Sequence, residues 1–198
     1  MTDRASRSPV RVPVSAWVSI IPAILVLQAL VLLAMGRPLI CTCGIVKLWH
    51  GAVQSSENSQ HFLDWYSFTH VLHGLWLYFF GWLFLRRTPV AARLVLALLL
   101  ESGWEILENT NFVIDRYRIA TVSLDYYGDS VVNSVGDAIS MIAGFVLALL
   151  APLWVSIAAV VAIEAGLIFL IRDNLFLNIL MLIYPIDGIR AWQAAPPF

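Results

Sequence analysis

Along the chain, apolar residues come in long blocks separated by short polar segments. A hydrocarbon core about 30 Å thick needs roughly 20 apolar residues in a helix. Four blocks reach that length between charged or turn residues: 14–35, interrupted only by Pro22 and Gln28; 67–85, ending at Arg86-Arg87; 90–113, apolar only in its first half; and 131–150. A fifth, 153–171, carries Glu164 and ends at Arg172-Asp173. The pattern predicts an all-α polytopic transmembrane helical bundle of about five spans, a single transmembrane domain over 14–185 with tails at 1–13 and 186–198. The stretch 174–185 is too short to span and reads as an interfacial or re-entrant helix.

Composition narrows the class. Of 198 residues, 60% are hydrophobic and 13% charged, where a soluble domain carries about a quarter charged residues. That excludes disorder and a secreted disulfide scaffold. A net charge of −1 provides no footprint for nucleic acid. The partner expected instead is the lipid bilayer.

Basic residues close to a span are retained on the cytoplasmic side. Arg4, Arg7 and Arg11 precede the first block, and Arg86, Arg87 and Arg93 surround the short turn after the second. The N-terminus therefore reads as cytoplasmic, the first block as a signal anchor with no small-residue cleavage site after it, and loops 36–66 and 114–130 as outward-facing. Arg116 and Arg118 in the second loop run against this distribution.

Ionisable groups inside a span cost free energy and mark a function or a buried pair. In the third block Glu101, Glu105, Glu108 and Asp115 are spaced 4, 3 and 7 apart, which on a continuous helix confines them to an arc of about 80°. His70 and His73 share a helix face at i, i+3. Asp129, Asn133, Gly136, Asp137, Ser140 and Gly144 form a polar and small stripe of the same period. Most of these groups lie toward the outer ends of their helices, so they predict a water-accessible pocket opening outward. The competing interpretation is that such groups only hold helices together by hydrogen bonds; Glu164, alone on its helix, reads as a structural partner.

Three stretches, SSENSQHFLDWYSFTHVLHG (55–74), WEILENTNFVIDRYR (104–118) and YYGDSVVNSVGDAISMIAGF (126–145), resemble signature segments of a bacterial family of multi-pass inner-membrane proteins of unknown function. The resemblance implies a bacterial inner-membrane location and no particular activity. Asp64 and His70, Glu105, Arg116 and the Asp129, Asn133, Gly136 pattern are also similar to VanZ-like membrane proteins. A further similarity is to lipoprotein signal peptidase, which implies catalytic aspartates at Asp115 and Asp137. Here Asn111 to Asp115 and Asn133 to Asp137 are each one residue longer than that motif, and Trp104 and Glu105 stand where it has glycines.

Three chemistries follow. Asp115 and Asp137 within hydrogen-bond reach would share a proton and activate water. His70, His73 and Glu101, or the histidines with Glu105 or Glu108, form an N/O set suited to a divalent metal such as zinc. Aligned Glu and His residues also serve ion relays, although the polar stripes fade toward the cytoplasmic side. The leading expectation is a membrane-embedded hydrolase acting on a lipid-linked or envelope substrate, with Asp115, Asp137, Glu105 and Glu108 catalytic. Arg116, Arg118, Asn133 and Asp129 would bind the substrate, the arginines pairing with a phosphate or carboxylate head group. The alternative is a non-catalytic ion or head-group binding or small-solute transport protein.

The loop 36–66 adds Cys41-Thr42-Cys43, His50 and His61, with Trp49, Trp65 and Tyr66 where aromatic belts lie. An outward loop favours pairing of the cysteines; the one-residue spacer closes a strained ring, leaving a labile disulfide, a thiolate site, or a metal site with His50 and His61 as alternatives.

Overall fold

A computed structural model describes residues 14–120 and 126–194. The basic tail residues Arg4, Arg7 and Arg11 lie outside them. The described residues are all-helical, with eight helices: α1 (Val14–Ala34), α2 (Ser67–Phe84), α3 (Val90–Glu108), α4 (Asn111–Ala120), α5 (Val131–Leu150), α6 (Leu153–Ile171), α7 (Leu175–Ile183) and α8 (Asp187–Ala194). Two of them, α5 and α6, are long and apolar enough to cross a membrane.

The expected span 90–113 is not one helix. It ends at Glu108, because Asn109 and Thr110 turn side chains onto the last carbonyls: Asn109 Nδ2 donates to Glu105 O at 3.0 Å and Thr110 Oγ1 to Leu107 O at 2.6 Å. Such local bonds compete with helix continuation. Thr110 O then accepts the Val113 and Ile114 amides that open α4. The acidic stripe from Glu101 to Asp115 is thereby cut, and Asp115 leaves the face shared by the three glutamates. The expected C-terminal tail 186–198 also contains α8.

Helix α2 packs along α5 more extensively than any other pair among the described residues. A Cβ on Gly74 would run into the Met141 carbonyl, and one on Gly144 into the Val71 carbonyl. The two glycines therefore let the backbones of α2 and α5 touch. The apolar core between α1, α3 and α5 is Ile24, Val95, Ala97, Leu98, Ala138, Met141 and Phe145.

The N-terminus of α5 is held by the loop between α1 and α2. Its free N–H groups, which a helix start cannot satisfy internally, find Pro38 O (Val131, 2.9 Å), Leu39 O (Val132, 3.2 Å) and the Ser130 hydroxyl (Asn133, 3.1 Å). Ser130 N–H in turn donates to Ser59 O at 2.9 Å, and the Ser130 hydroxyl donates to Gln60 O at 3.0 Å. The α1–α2 loop is thus fastened over the start of α5. Within it Cys41 and Cys43 form a disulfide. Trp49 and Trp65 pack edge to face at 5.0 Å.

Among the described residues 23 polar or charged residues are buried against 18 hydrophobic ones, whereas Leu153, Trp154, Val161, Phe169 and Leu170 on α6 are each more than half exposed.

Candidate functional site

Between α2, α3, α5 and α7 lies a cavity of about 180 Å³. Helix α2 presents Thr69, His70 and His73 to it, α3 Trp104 and Glu108, α5 Asp137, and α7 Leu175, Asn178 and Ile179; Tyr117, Tyr126, Asp129 and Asp173 close the rim with Asn58, Ser59 and Tyr66. Among the described residues, the lining holds four carboxylates, two imidazoles and neither Lys nor Arg. Such a surface favours a cation over an anion.

The helical spacing of His70 and His73 brings both rings to Glu101, one helix away. Nδ1 of His70 is 2.5 Å from Glu101 Oε1, and Nδ1 of His73 is 3.1 Å from both Glu101 oxygens. Glu101 is 2% exposed, so one buried carboxylate anchors two imidazoles. Nδ1 of His70 is also 3.2 Å from Glu105 Oε1, while its Nε2 faces Asp137 Oδ2 at 3.9 Å.

Behind this pair runs a buried chain of hydrogen bonds. Ser102 Oγ donates to Gln28 Oε1 (2.7 Å), Gln28 Nε2 to Ser134 Oγ (2.8 Å), and Ser134 Oγ to Glu105 Oε2 (2.6 Å). Three helices, α1, α3 and α5, meet there. The other Glu105 oxygen is buried and has no hydrogen-bond partner among the described residues. Asp137 Oδ1 accepts from Ser67 Oγ at 2.7 Å, and Ser67 Oγ accepts the Asp64 amide at 3.1 Å.

At the rim, Asp129 accepts from Asn109 Nδ2 (2.6 Å) and the Tyr126 hydroxyl (3.0 Å). Burial nevertheless pushes its carboxyl up to about 6, partly countered by those donors. Asp173 is likewise raised by burial to about 6, and accepts from the Tyr66 hydroxyl at 3.1 Å and Gln193 Nε2 at 3.1 Å. Asp64, 1% exposed, is raised by burial against donors that include the Tyr66 and Ser59 amides.

The structure gathers some of the residues expected from the sequence and disperses others. His70, His73, Glu108, Asp129 and Asp137 line the cavity, and Glu101 and Glu105 stand directly behind the histidines. Asp115 does not join Asp137: its side chain is 66% exposed and pairs with Arg118, at 3.8 Å. Arg116 does not reach the cavity either. It donates to the carbonyls of Leu182 (2.7 Å) and Ile183 (3.1 Å) at the end of α7. Arg118 donates to Tyr126 O at 2.5 Å. Both arginines donate to backbone carbonyls, and Arg118 also pairs with Asp115. Asn133 donates to Asp64 Oδ2 at 3.3 Å, outside the lining. Glu164 lies near Asn174 and the Phe176 amide at the start of α7, with its buried Oε2 lacking a hydrogen-bond partner among the described residues.

Pattern does not single out Asp173, Asn178 and Tyr117, which line the cavity. Asp64, marked by the VanZ-like pattern, lies outside the lining and touches Asn133. Asp173 and Asn178 reach the site because α7 folds back beside α4, where the Tyr117 hydroxyl donates to Asn178 Oδ1 at 2.9 Å.

Residues 32–195 match the model of a family described as Protein of unknown function (DUF2585). The chain belongs to the DUF2585 family. It is 55% identical over 172 residues to a UPF0314 protein of Paracoccus denitrificans (strain Pd 1222), covering 87% of this chain and 89% of that relative. A UPF0314 protein of Rhizobium etli (strain CIAT 652) is 51% identical over 179 residues, 90% and 92% of the two chains. One of Novosphingobium aromaticivorans is 49% identical over 169 residues, 83% and 85%. No solved structure matches the chain. The DUF2585 match contains every residue that lines the cavity.

Proposed function

We propose that this DUF2585 chain is an integral protein of the bacterial inner membrane whose outward-facing cavity binds a divalent transition metal and uses it to activate water against a lipid-linked or envelope substrate. In this reading α1, α2, α3, α5 and α6 are the five spans, with the N-terminus cytoplasmic. The exposed apolar side chains of α6 and the polar interior support a lipid surround, in which polar groups turn inward. Two helices of spanning length and composition support it further.

The observation that carries the metal is the Glu101 bridge. A carboxylate that accepts Nδ1–H from a histidine fixes the tautomer and leaves Nε2 as a lone-pair ligand. Glu101 does this for two histidines at once. Distances decide which contacts are direct. The 2.5 Å separation of His70 Nδ1 and Glu101 is a hydrogen bond with no room for an ion. The 3.9 Å gap from His70 Nε2 to Asp137 Oδ2 suits a cation bound at about 2.0–2.2 Å to each. In this reading His70 and Asp137 would hold the ion, with His73 the further imidazole on the lining, Glu101 orienting both rings and Glu108 available as a base, and the ion would supply Lewis-acid activation of water. The absence of Lys and Arg from the described lining supports a cationic occupant. A peptidase dyad of Asp115 and Asp137 has no such support, because Asp115 faces away.

Elemental analysis of detergent-purified full-length protein, loaded with Zn²⁺ and dialysed, tests the site. About one metal per chain is expected, lost in His70→Ala and Asp137→Asn. Equal metal in wild type and His70→Ala overturns the site. Turnover is tested separately on lipid-linked phosphoester and amide substrates; metal bound without any turnover supports an ion-binding protein in place of a hydrolase.

A further inference from the structure

The loop between α1 and α2 holds a second cluster of ligand side chains that the cavity does not use. We propose that, once the Cys41–Cys43 disulfide is reduced, the two thiolates, His61 and Glu57 form a separate redox-gated site for a zinc-type divalent cation. The inference is independent of the cavity reading.

The geometry is already close to a coordination shell. The two sulfurs, a ring nitrogen of His61 and a carboxylate oxygen of Glu57 all lie within 4.8 Å of one another. Around tetrahedral zinc, bonds of about 2.3 Å to sulfur and about 2.0–2.2 Å to nitrogen or oxygen place ligand atoms roughly 3.4–3.8 Å apart. Closing the shell thus asks for shifts of about 1 Å. Two thiolates with one imidazole and one carboxylate form a set that favours zinc over magnesium or calcium. Sequence spacing alone points to His50 as a partner of the cysteines. The structure substitutes Glu57: the His50 ring packs against that of His61 at 5.1 Å and is not among the converging atoms.

The surroundings hold the ligands in place. Cys41 is 2% and His61 0% exposed. The Cys43 amide donates to Cys41 Sγ at 3.1 Å, a contact that favours a thiolate once the bond is broken. His61 Nε2 is 2.9 Å from Glu57 Oε2, and its Nδ1 accepts the Lys47 amide at 3.2 Å. Nε2 therefore carries the ring proton and donates to Glu57. A metal between His61 Nε2 and Glu57 takes the place of that proton, moves the ring proton to Nδ1 at the expense of the longer Lys47 amide contact, and displaces the Lys47 ammonium that also pairs with Glu57 Oε2. Glu57 lies next to Asn58 and Ser59, which line the cavity, so ligation would fasten the loop that forms part of its rim.

In the reducing step a dithiol reductant donates two electrons and two protons to the Cys41–Cys43 bond, becoming a disulfide and leaving two thiols. The cation then displaces both thiol protons to water. Reoxidation by a disulfide oxidant releases the metal and restores the Cys41–Cys43 bond.

The experiment uses full-length His70→Ala protein in detergent, so that the cavity site does not contribute. Zn²⁺ is measured by elemental analysis before and after treatment with a non-chelating phosphine, and Co²⁺ serves as an absorbing probe. Reduction is expected to add one Zn²⁺ per chain and a near-ultraviolet thiolate-to-cobalt band. Cys43→Ser should abolish the band, and His61→Ala should weaken Zn²⁺ binding at least tenfold, each with helix content retained by circular dichroism. Alkylating the reduced thiols provides a control that needs no substitution and should also abolish the added Zn²⁺. Reduced protein that takes up no additional Zn²⁺, or additional Zn²⁺ that survives alkylation or Cys43→Ser, overturns the proposal.

Discussion

His70 meets Glu101 through Nδ1 at 2.5 Å and leaves Nε2 facing Asp137 across 3.9 Å. The two nitrogens of one ring therefore have different tasks, one anchored and one available. Glu101→Gln keeps the size of the side chain but removes the charge that orients both histidines. Metal affinity is expected to fall about 10- to 100-fold, the usual cost of losing an orienting partner, whereas His70→Ala should eliminate binding. Calorimetric titration with Zn²⁺ distinguishes them. A Glu101→Gln protein as deficient as His70→Ala would make Glu101 itself a ligand.

The chain from Ser102 through Gln28 and Ser134 to Glu105 joins α1 to the helices that carry the site. Gln28 is 1% exposed, so Gln28→Ala leaves buried hydroxyls short of partners. A loss of about 1–3 kcal/mol is expected. A double-mutant cycle of Gln28→Ala with Ser134→Ala should show a coupling of about 1 kcal/mol, in the range of interhelical bonds within membranes. Unfolding in mixed micelles supplies the measurement, and zero coupling would separate Gln28 from the chain.

Gly74 and Gly103 occupy helices of similar length but opposite surroundings. A Cβ at Gly74 collides with the Met141 backbone carbonyl, and one at Gly103 meets nothing within 4 Å. Gly74→Ala must push α2 off α5 and should cost about 1–3 kcal/mol. Gly103→Ala should be neutral or gain up to about 1 kcal/mol from helix propensity. Comparing their thermal midpoints checks the claim; equal behaviour would mean that α2 and α5 do not touch as described.

Much of the helical frame is legible from the apolar runs. The ends of α2, α5 and α6 fall where Pro89, Pro152 and Arg172 or their charged neighbours interrupt hydrophobicity. The break after Glu108 is not, because the polar side chains of Asn109 and Thr110 end the helix by bonding back to its last carbonyls, and Asn109 is further held by Asp129, twenty residues on. Periodicity assumes a continuous helix and so carries the acidic face on to Asp115. The positions of the arginines are hidden for a related reason. Charge near a polar cluster looks like part of that cluster, but Arg116 and Arg118 lie outside the cavity lining and donate to carbonyls that only the folded chain brings to them. His70, His73 and Glu101 are legible as a set, since helix spacing places the histidines together and a buried glutamate needs a partner.

Arg116 ties the end of α7 to α4 through two carbonyls. Arg116→Ala is expected to loosen α7, raising amide exchange at Leu182 to Ile186 severalfold, while Zn²⁺ binding at the histidines stays within about twofold of wild type. Hydrogen exchange followed by mass spectrometry reports the first and titration the second. Loss of Zn²⁺ binding with unchanged exchange would return Arg116 to the site.

Asp129 sets the expected pH dependence. Its carboxyl is raised by burial from an ordinary 3.8 to about 6, so the folded protein holds this proton more tightly than the unfolded chain does. Its contribution to stability is therefore greatest below pH 3.8, declines as pH rises from 3.8 to 6, and settles at a constant penalty above that, about 3 kcal/mol for a shift of this size. An asparagine at this position stays neutral throughout, so Asp129→Asn removes this slope. The substitution retains an acceptor for Asn109 Nδ2. Thermal midpoints measured between pH 4 and pH 7 should show wild type losing stability relative to Asp129→Asn across the lower part of that range, with the difference levelling off above pH 6. A difference that is flat from pH 4 to pH 7 would mean that Asp129 is ionised throughout, with Asn109 and Tyr126 fully offsetting its burial.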